Sequence, residues 1–310
     1  MKCKICKSNH IKVIYEDIIR NGGLGKYTSK PVTIWQCQDC GVIWHEPVVE
    51  DTKQYYESKE YRNSLEGTSE AEDFYRIHDK ESLDKFLYTG IDVFRHKTVA
   101  DIGCGAGAFL DLLKGVADTI IAIEPSETYR KIMDDKNFVT YPYVDKAKKK
   151  WGGYLDIITS FDVIEHVEEP IAFLRDIFEL LKDGGEGIIG TPTDAPVMRN
   201  LLGDIYEREL LFSTQHLWIF SEKSLEVMAK SVGFKNVEIR YYQRYGLSNL
   251  IGWLKEKKAC GNPNYFFVSE AMDAVWKTEL SRQGYSDYIV IYLKKEKYVK
   301  SIPFWSKWGG

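Results

Sequence analysis

The 310-residue sequence has few cysteines, no long apolar run and no large excess of charge. Its six cysteines are too few for a disulfide scaffold in a chain of this length. The 42 Lys and Arg against 46 Asp and Glu give a net charge of −4, which argues against a basic nucleic-acid surface. No apolar run approaches the roughly 18 residues of a membrane span, and a cysteine pair stands where a signal peptide would be apolar. These absences predict a soluble, cytoplasmic protein without a membrane span.

Four of the cysteines form two CxxC pairs, Cys3 with Cys6 and Cys37 with Cys40. Thiolates suit Zn²⁺, and each pair can supply two sulfurs to one tetrahedral ion. In a reducing compartment this spacing favours a metal site over disulfides. A site of four cysteines has no open position for a substrate water, so the sequence predicts a structural zinc in a ribbon that spans residues 1–48.

The rest of the chain divides into three parts by composition. Residues 49–90 are charged and rich in tyrosine, which indicates a helical connector or lid. Over residues 91–295, short apolar strands alternate with amphipathic helices, and this alternation predicts an α/β domain with a mostly parallel sheet covered on both faces. Two helical patterns in residues 246–286 indicate an insertion before the last strand. An aromatic tail occupies residues 296–310.

A glycine-rich turn follows the first strand of that domain, in the segment Asp101-Ile-Gly103-Cys-Gly105-Ala-Gly107. Such a turn lets the backbone approach a nucleotide-like ligand closely. Taken alone it also matches the dinucleotide pattern G-x-G-x-x-G/A. The carboxylate of Asp101 suits a cationic ligand better than a pyrophosphate. Glu124, at the end of the next strand, is placed to accept hydrogen bonds from both ribose hydroxyls.

The fourth strand ends in Phe161-Asp162-Val-Ile-Glu165-His166-Val. In open α/β sheets the ligand binds at the carboxyl ends of the strands, so this segment should rim the same crevice as the glycine turn. Phe161 and Asp162 are therefore predicted to be among the cofactor-binding residues.

At these residues the chain resembles the class I S-adenosylmethionine-dependent methyltransferases, in particular the branch shared with the ubiquinone-biosynthesis methyltransferases. The pattern D-x-G-x-G-x-G, the acidic Glu124, the FDVIEHV segment and Leu181-Lys-Asp-Gly-Gly carry the resemblance. It implies a Rossmann-like sheet of seven strands with an antiparallel last strand, and S-adenosylmethionine as the cofactor. It also implies that the three glycines line the methionine part, that Glu124 holds the ribose and that Asp145 meets the adenine amine.

The four-cysteine N-terminal module is similar to the zinc-bearing front end of bacterial deoxysugar C-methyltransferases. Their proton-handling tyrosine, glutamate and histidine map onto Ser213, Gln215 and His216, which retains only the histidine. The resemblance therefore favours O-methylation of a sugar, nucleotide-sugar or related polar metabolite of cell-surface polysaccharide biosynthesis. An aliphatic hydroxyl needs a base, and the candidates are His216, which is preferred, and His166.

Two other functions stay open at this point. Some rRNA guanine methyltransferases also carry a four-cysteine zinc module before the same core. Residues 1–48, however, contain 7 Lys and Arg against 4 Asp and Glu, a surplus of only three, so nucleic acid is the less favoured partner. A non-catalytic scaffold that binds a partner through the ribbon would have no need for the glycine and acidic positions.

Overall fold

The computed structural model describes residues 1–48 and 71–297, and its larger sheet confirms the predicted α/β fold. The strands of this sheet are β4 (Thr98–Ile102), β5 (Thr119–Ile123), β6 (Val139–Tyr141), β7 (Leu155–Phe161), β8 (Leu181–Pro192), β10 (Asn236–Tyr241) and β11 (Tyr288–Lys294). Their order is β10-β11-β8-β7-β4-β5-β6. Strands β4 to β8 pair in parallel, whereas β11 is antiparallel to both neighbours. The seven-stranded sheet with an antiparallel last strand is therefore as expected.

Helices cover both faces of this sheet. They are α1 (Ala71–Thr89), α2 (Ala108–Leu113), α3 (Glu127–Asp135), α4 (Val144–Trp151), α5 (Pro170–Leu180), α6 (Pro196–Leu202), α7 (Asp204–Tyr206), α8 (Glu222–Val232), α9 (Leu247–Glu256) and α10 (Glu270–Gln283). The alternation of side chains along β4 builds the two cores. Val99 packs in a cluster with Leu110 of α2, while Ala100 packs in a cluster with Ile177 of α5.

A second, four-stranded sheet contains the cysteine pairs. Its order is β1-β2-β3-β9, with β1 (Ile11–Asp17), β2 (Val32–Cys37), β3 (Ile43–Trp44) and β9 (Trp218–Ile219). Strand β9 comes from the methyltransferase-like part of the chain, where Trp218 pairs with Trp44. The boundary at residue 48 stays a prediction, but the ribbon and the larger domain share this sheet.

Helix α1 lies in the second half of the predicted helical connector, residues 49–90, and is placed over the glycine turn. The Tyr75 hydroxyl donates a hydrogen bond to the carbonyl oxygen of Ala106 at 2.6 Å. The first part of the predicted connector, residues 49–70, lies outside the described residues, as does most of the aromatic tail, residues 298–310. The insertion between β10 and β11 holds α9 and α10, close to the predicted limits. Across residues 1–48 and 71–297, no helix is both long enough and apolar enough to cross a membrane.

Candidate active site

The glycine turn after β4 adopts backbone conformations that favour glycine. Gly103 and Gly105 have φ angles of 76° and 55°, in the left-handed region. A Cβ atom on Gly103 would lie 2.3 Å from Cγ2 of Val163, in the loop after β7. The turn therefore packs directly against this loop, as the sequence predicted for two segments at one sheet edge.

Two buried carboxylates flank the turn. Asp101 Oδ1 accepts a hydrogen bond from Thr159 Oγ1 at 2.7 Å, and burial raises the pKa of Asp101 to about 7. Glu124 accepts the backbone N–H groups of Gly105 at 3.0 Å and Ser126 at 2.9 Å. Glu124 thus shapes the turn itself.

Two of the predicted cofactor residues lie away from this arrangement. Asp145 stands in the first turn of α4 with about two thirds of its side chain exposed (64%), where its carboxylate pairs with Lys146 at 3.1 Å. The register of α4 turns its side chain to solvent, outside the lining of the cavity, and its contact with adenine stays a prediction. Gly107, with a φ angle of 85°, precedes α2, and a Cβ there would lie 3.3 Å from the side chain of Met133. The positive φ angle and the close packing against Met133 both favour glycine at position 107.

A cavity of about 620 Å³ lies at the carboxyl ends of β4 and β7. This is an ordinary volume for a small-molecule site. Its lining joins the glycine turn, α1, the loop after β7 and the insertion. The predicted site residues in the lining are Asp101, Gly103, Gly105, Phe161, Asp162, His166 and His216. The structure therefore brings half of the predicted site together around one space.

Asp162 connects three parts of the cavity wall, namely its own loop after β7, helix α1 and the segment after β10. Lys85 of α1 donates to Asp162 Oδ2 at 2.6 Å, and Arg244, after β10, lies 3.7 Å from Oδ1. Burial works to raise the pKa of Asp162, but the charges of Lys85 and Arg244 lower it to about 2. Asp162 is therefore ionised and anchors α1 over the cavity. Lys85 and Arg244 escaped prediction because neither belongs to a local motif.

Glu165, His166 and His216 form a cluster in the cavity wall. The two imidazole rings meet edge to face with centroids 4.9 Å apart, and one potential ligand atom from each residue lies within 4.8 Å of the others. Burial, with the Asp162 charge second, raises the pKa of Glu165 to about 8. Burial, followed by the nearby His166, lowers the pKa of His216 well below 6.5. Both predicted base candidates are thus in one place, beside a carboxyl that the sequence left without a definite role.

The four cysteines of the ribbon face one point. Cys3 Sγ lies 3.7 Å from Cys40 Sγ, and Cys6 Sγ lies 3.5 Å from Cys37 Sγ. None of the four is in a disulfide, and the four sulfurs lie within 4.8 Å of one another. Ligands at the Zn–S distance of ~2.3 Å stand about 3.8 Å apart in a tetrahedron. The donor set therefore fits a zinc ion.

The ribbon also supports the loop that carries His216. Backbone N–H groups pair across the junction, from Arg20 to the Phe212 carbonyl at 3.1 Å and from Thr214 to the Arg20 carbonyl at 2.9 Å. The side chain of His45 is buried, with Nε2 at 3.1 Å from the carbonyl oxygen of His216. His45 thus acts in the contact between ribbon and loop, and the four sulfurs leave no need for it as a zinc ligand.

The family model described as "Methyltransferase domain" matches residues 75–239, more than half of the chain. The chain belongs to this methyltransferase family. The match covers α1, the glycine turn, the loop after β7 and His216, so the cavity lies largely within the methyltransferase domain. The resemblance inferred from the D-x-G-x-G-x-G and FDVIEHV segments is confirmed.

Curated relatives share the methyltransferase domain at low identity. A tRNA U34 carboxymethyltransferase of Pseudoalteromonas translucida is 28% identical over 169 residues, which cover 50% of this chain and 49% of the relative. A ubiquinone biosynthesis O-methyltransferase of Nitrosomonas europaea is 26% identical over 148 residues, covering 44% and 63%. The chain therefore spans only about half to three fifths of these relatives. A SAM-dependent methyltransferase structure from Archaeoglobus fulgidus aligns at 20% identity with a TM-score of 0.47, over 72% of this chain and 99% of that one.

Part of the cavity wall lies outside the matched segment of the methyltransferase domain, and it includes two arginines. Arg20 comes from the ribbon and Arg244 from the segment after β10. Long-range packing alone brings them to the cavity, so no local sequence signal could have indicated them.

Proposed function

We propose that this protein transfers the methyl group of S-adenosylmethionine to a hydroxyl of a polar small molecule. The observation that carries the proposal is the single cavity, into which both the glycine turn and the Glu165–His166–His216 cluster open. Family membership accounts for the methyl donor. The cluster accounts for an acceptor that must lose a proton.

The cofactor side of the cavity suits a cationic ligand. Asp101 and Glu124 are acidic and buried, and Glu124 accepts the backbone N–H of Gly105 in the glycine turn. In the proposed mode, Glu124 accepts the ribose hydroxyls, Asp101 attracts the positively charged methionine part, and Gly103 and Gly105 let the backbone approach it. When bound, S-adenosylmethionine supplies a methyl group activated by a positively charged sulfur. The carboxylates of Asp101 and Glu124 are not complementary in charge to a pyrophosphate, which is itself an anion.

The acceptor side is polar and charged on several walls. Lys85, Arg244 and Arg20 bring positive charge, while Asp162 and Asp287 bring negative charge. Such a wall supplies hydrogen bonds in both directions, as a sugar or nucleotide-sugar would need. The cell-surface polysaccharide precursor expected from the zinc-bearing sugar methyltransferases is our proposed acceptor class. The Glu165–His166–His216 cluster is where we place removal of the acceptor proton.

The four-cysteine site has its own proposed role. We assign it one structural zinc, bound by Cys3, Cys6, Cys37 and Cys40, because the four sulfurs stand at distances that suit a tetrahedral ion. The zinc would fix the ribbon, and through it the loop that carries His216.

Calorimetry with S-adenosylhomocysteine tests the cofactor assignment without an acceptor. Glu124→Ala should weaken binding at least tenfold, since hydrogen bonds to a charged group are worth ~1.5 to 3 kcal/mol and 1.4 kcal/mol is a factor of ten. The matched control is Glu127→Ala, an exposed carboxylate of α3 paired with Lys131, which should bind normally. Tight NADH binding with no response to S-adenosylhomocysteine would refute the assignment.

The acceptor class needs a separate assay. Purified enzyme with methyl-labelled S-adenosylmethionine should label nucleotide-sugars and leave unmodified tRNA unlabelled. Transfer to tRNA would instead support methylation of RNA, the alternative function with which the tRNA-modifying relative is consistent. Cofactor binding without transfer to any acceptor of either class would favour the scaffold.

A further inference from the structure

The Glu165 carboxylate is incompletely satisfied. Its side chain is 1% exposed, and Oε2 accepts a hydrogen bond from Thr191 Oγ1 at 3.0 Å. The other oxygen, Oε1, is buried and has no hydrogen-bond partner among the described residues. Buried polar atoms are almost always paired, so an unpartnered oxygen in a cavity wall points to a ligand.

The neighbouring His166 presents a second acceptor to the same place. Its Nδ1 lies 2.8 Å from the carbonyl oxygen of Gln215, and because a carbonyl can only accept, Nδ1 carries the hydrogen. In the neutral ring Nε2 then carries the lone pair. Nε2 lies 3.9 Å from Glu165 Oε1, beyond hydrogen-bond distance. Histidine ligands of metals typically donate their other N–H to a carbonyl or carboxylate in this way.

His216 completes the group from a different segment of the chain. Its ring lies against that of His166, and one of its nitrogens lies within 4.8 Å of the other two ligand atoms. We infer that Glu165, His166 and His216 bind a divalent first-row transition-metal ion in the cavity. Two imidazoles and one carboxylate on one side, with the cavity on the other, leave open positions for an acceptor oxygen.

This inference rests on the proposed function and states how the cluster acts. An acceptor hydroxyl bound to the ion becomes more acidic, as metal-bound water does. Its O–H bond breaks and the proton passes to solvent water. The oxygen electron pair then forms the new bond to the methyl carbon, while the pair of the breaking S–CH₃ bond returns to sulfur. His216 is then a ligand, and its loss would stop turnover for that reason and not as a missing base.

The surrounding charges are compatible with a cation. Two arginines, Arg20 and Arg244, bring positive charge to this wall. Arg244 is engaged by Asp162 and Asp287 at 3.7 and 3.6 Å, and Arg20 donates to the carbonyl oxygen of Gly22. Lys85 is likewise paired with Asp162 and Glu81. The cluster itself contains one carboxyl group, and a bound divalent ion would favour its ionised form.

Titration of the zinc-loaded full chain with Mn²⁺, followed by electron paramagnetic resonance, tests the inference without any turnover. Mn²⁺ favours oxygen and nitrogen ligands, so it should leave the four-cysteine site alone. The expected result is one bound Mn²⁺ per chain, with binding weakened at least tenfold in Glu165→Gln and in His166→Gln. The control His96→Asn changes an exposed histidine paired with Asp118 and should bind normally.

Failure of the inference is distinguishable from failure of the proposed function. S-adenosylhomocysteine is titrated calorimetrically into the same samples. Normal cofactor binding without Mn²⁺ binding, or Mn²⁺ binding that survives both substitutions, overturns the metal site alone. Loss of cofactor binding in the native chain overturns the proposed function. Because Glu165→Gln and His166→Gln are tested separately, the experiment still decides the question if one of the two variants fails to fold.

Discussion

Removal of zinc should release the loop that carries His216 while leaving the seven-stranded core intact. The perturbation is Cys37→Ser, or chelation of the native protein, which should contain one zinc per chain. Cys37 ends β2, and β2 pairs with β3, which in turn pairs with β9. Without the ion, the two CxxC pairs are no longer joined to each other. Strand β3 then loses the support that positions it against β9.

The size of the effect follows from the contacts at this junction. Arg20 N–H donates to Phe212, Thr214 N–H to Arg20 and His45 N–H to Leu217, at 3.1, 2.9 and 3.3 Å, and the His45 ring adds a fourth contact. At ~1 kcal/mol net for each hydrogen bond, the ribbon contributes about 4 kcal/mol to holding this loop. Loss of even half to three quarters of that value makes local opening about 30- to 200-fold more frequent.

Hydrogen exchange followed by mass spectrometry measures this opening directly. Amides of residues 212–219 should exchange about a hundredfold faster in Cys37→Ser, whereas amides of β4 and β5 should keep their protection. The matched control is Cys260→Ser, a cysteine of the insertion that lies outside the ribbon. If residues 212–219 keep native protection in zinc-free protein, the ribbon does not position this loop. An equal loss of protection throughout β4 and β5 would mean that zinc supports the whole fold.

Two further predictions concern the cavity. His216→Ala should lower turnover at least a hundredfold in a methyl-transfer assay while the Kd of S-adenosylhomocysteine changes less than threefold. His216 belongs to the cluster that activates the acceptor hydroxyl, and assistance to removal of the acceptor proton is worth ~100- to 10,000-fold. Near-native turnover together with an inactive His166→Ala would show that His166, and not His216, is the essential histidine of the cluster. S-adenosylhomocysteine should also bind more tightly from pH 6 to pH 8, because the pKa of Asp101 is about 7 and the ionised carboxylate attracts the methionine ammonium. Calorimetry should find this slope flattened in Asp101→Asn, and a pH-independent Kd in the native chain would contradict the reasoning.

The fold could be predicted from local patterns because its elements are long enough to show a period. The alternation along β4 is one example, in which Val99 and Ala100 face different cores. Helix α3 (Glu127–Asp135) is one of the amphipathic helices expected over residues 91–295, and it buries Tyr129 and Met133 on one face. By contrast β3 and β9 have two residues each, too short for any period, and they pair across 174 or more residues of sequence.

The candidate site divides in the same way. Asp101, Gly103 and Phe161 lie in motifs that the chain order alone places at one sheet edge, and all three line the cavity. Asp145 was inferred from its place after β6, but a helix of eight residues exposes some of its first turn, and Asp145 lies on that side. Ion pairs such as Lys85 with Asp162 join residues 77 positions apart, and neither residue type is unusual in its own segment.

The two halves of the cavity consequently depend on the sequence in different ways. The cofactor half comes from one strand–turn–helix unit and the acid after the next strand, so a family match over residues 75–239 contains all of it. The acceptor half comes from separate segments: Arg20 of the ribbon, Lys85 of α1, His166 after β7, His216 before β9 and Arg244 after β10. Two of these five residues, Arg20 and Arg244, lie outside the matched region. Methyl transfer is therefore the part of the function that membership of the family fixes, while the acceptor depends on how the ribbon and the insertion close the other side of the cavity.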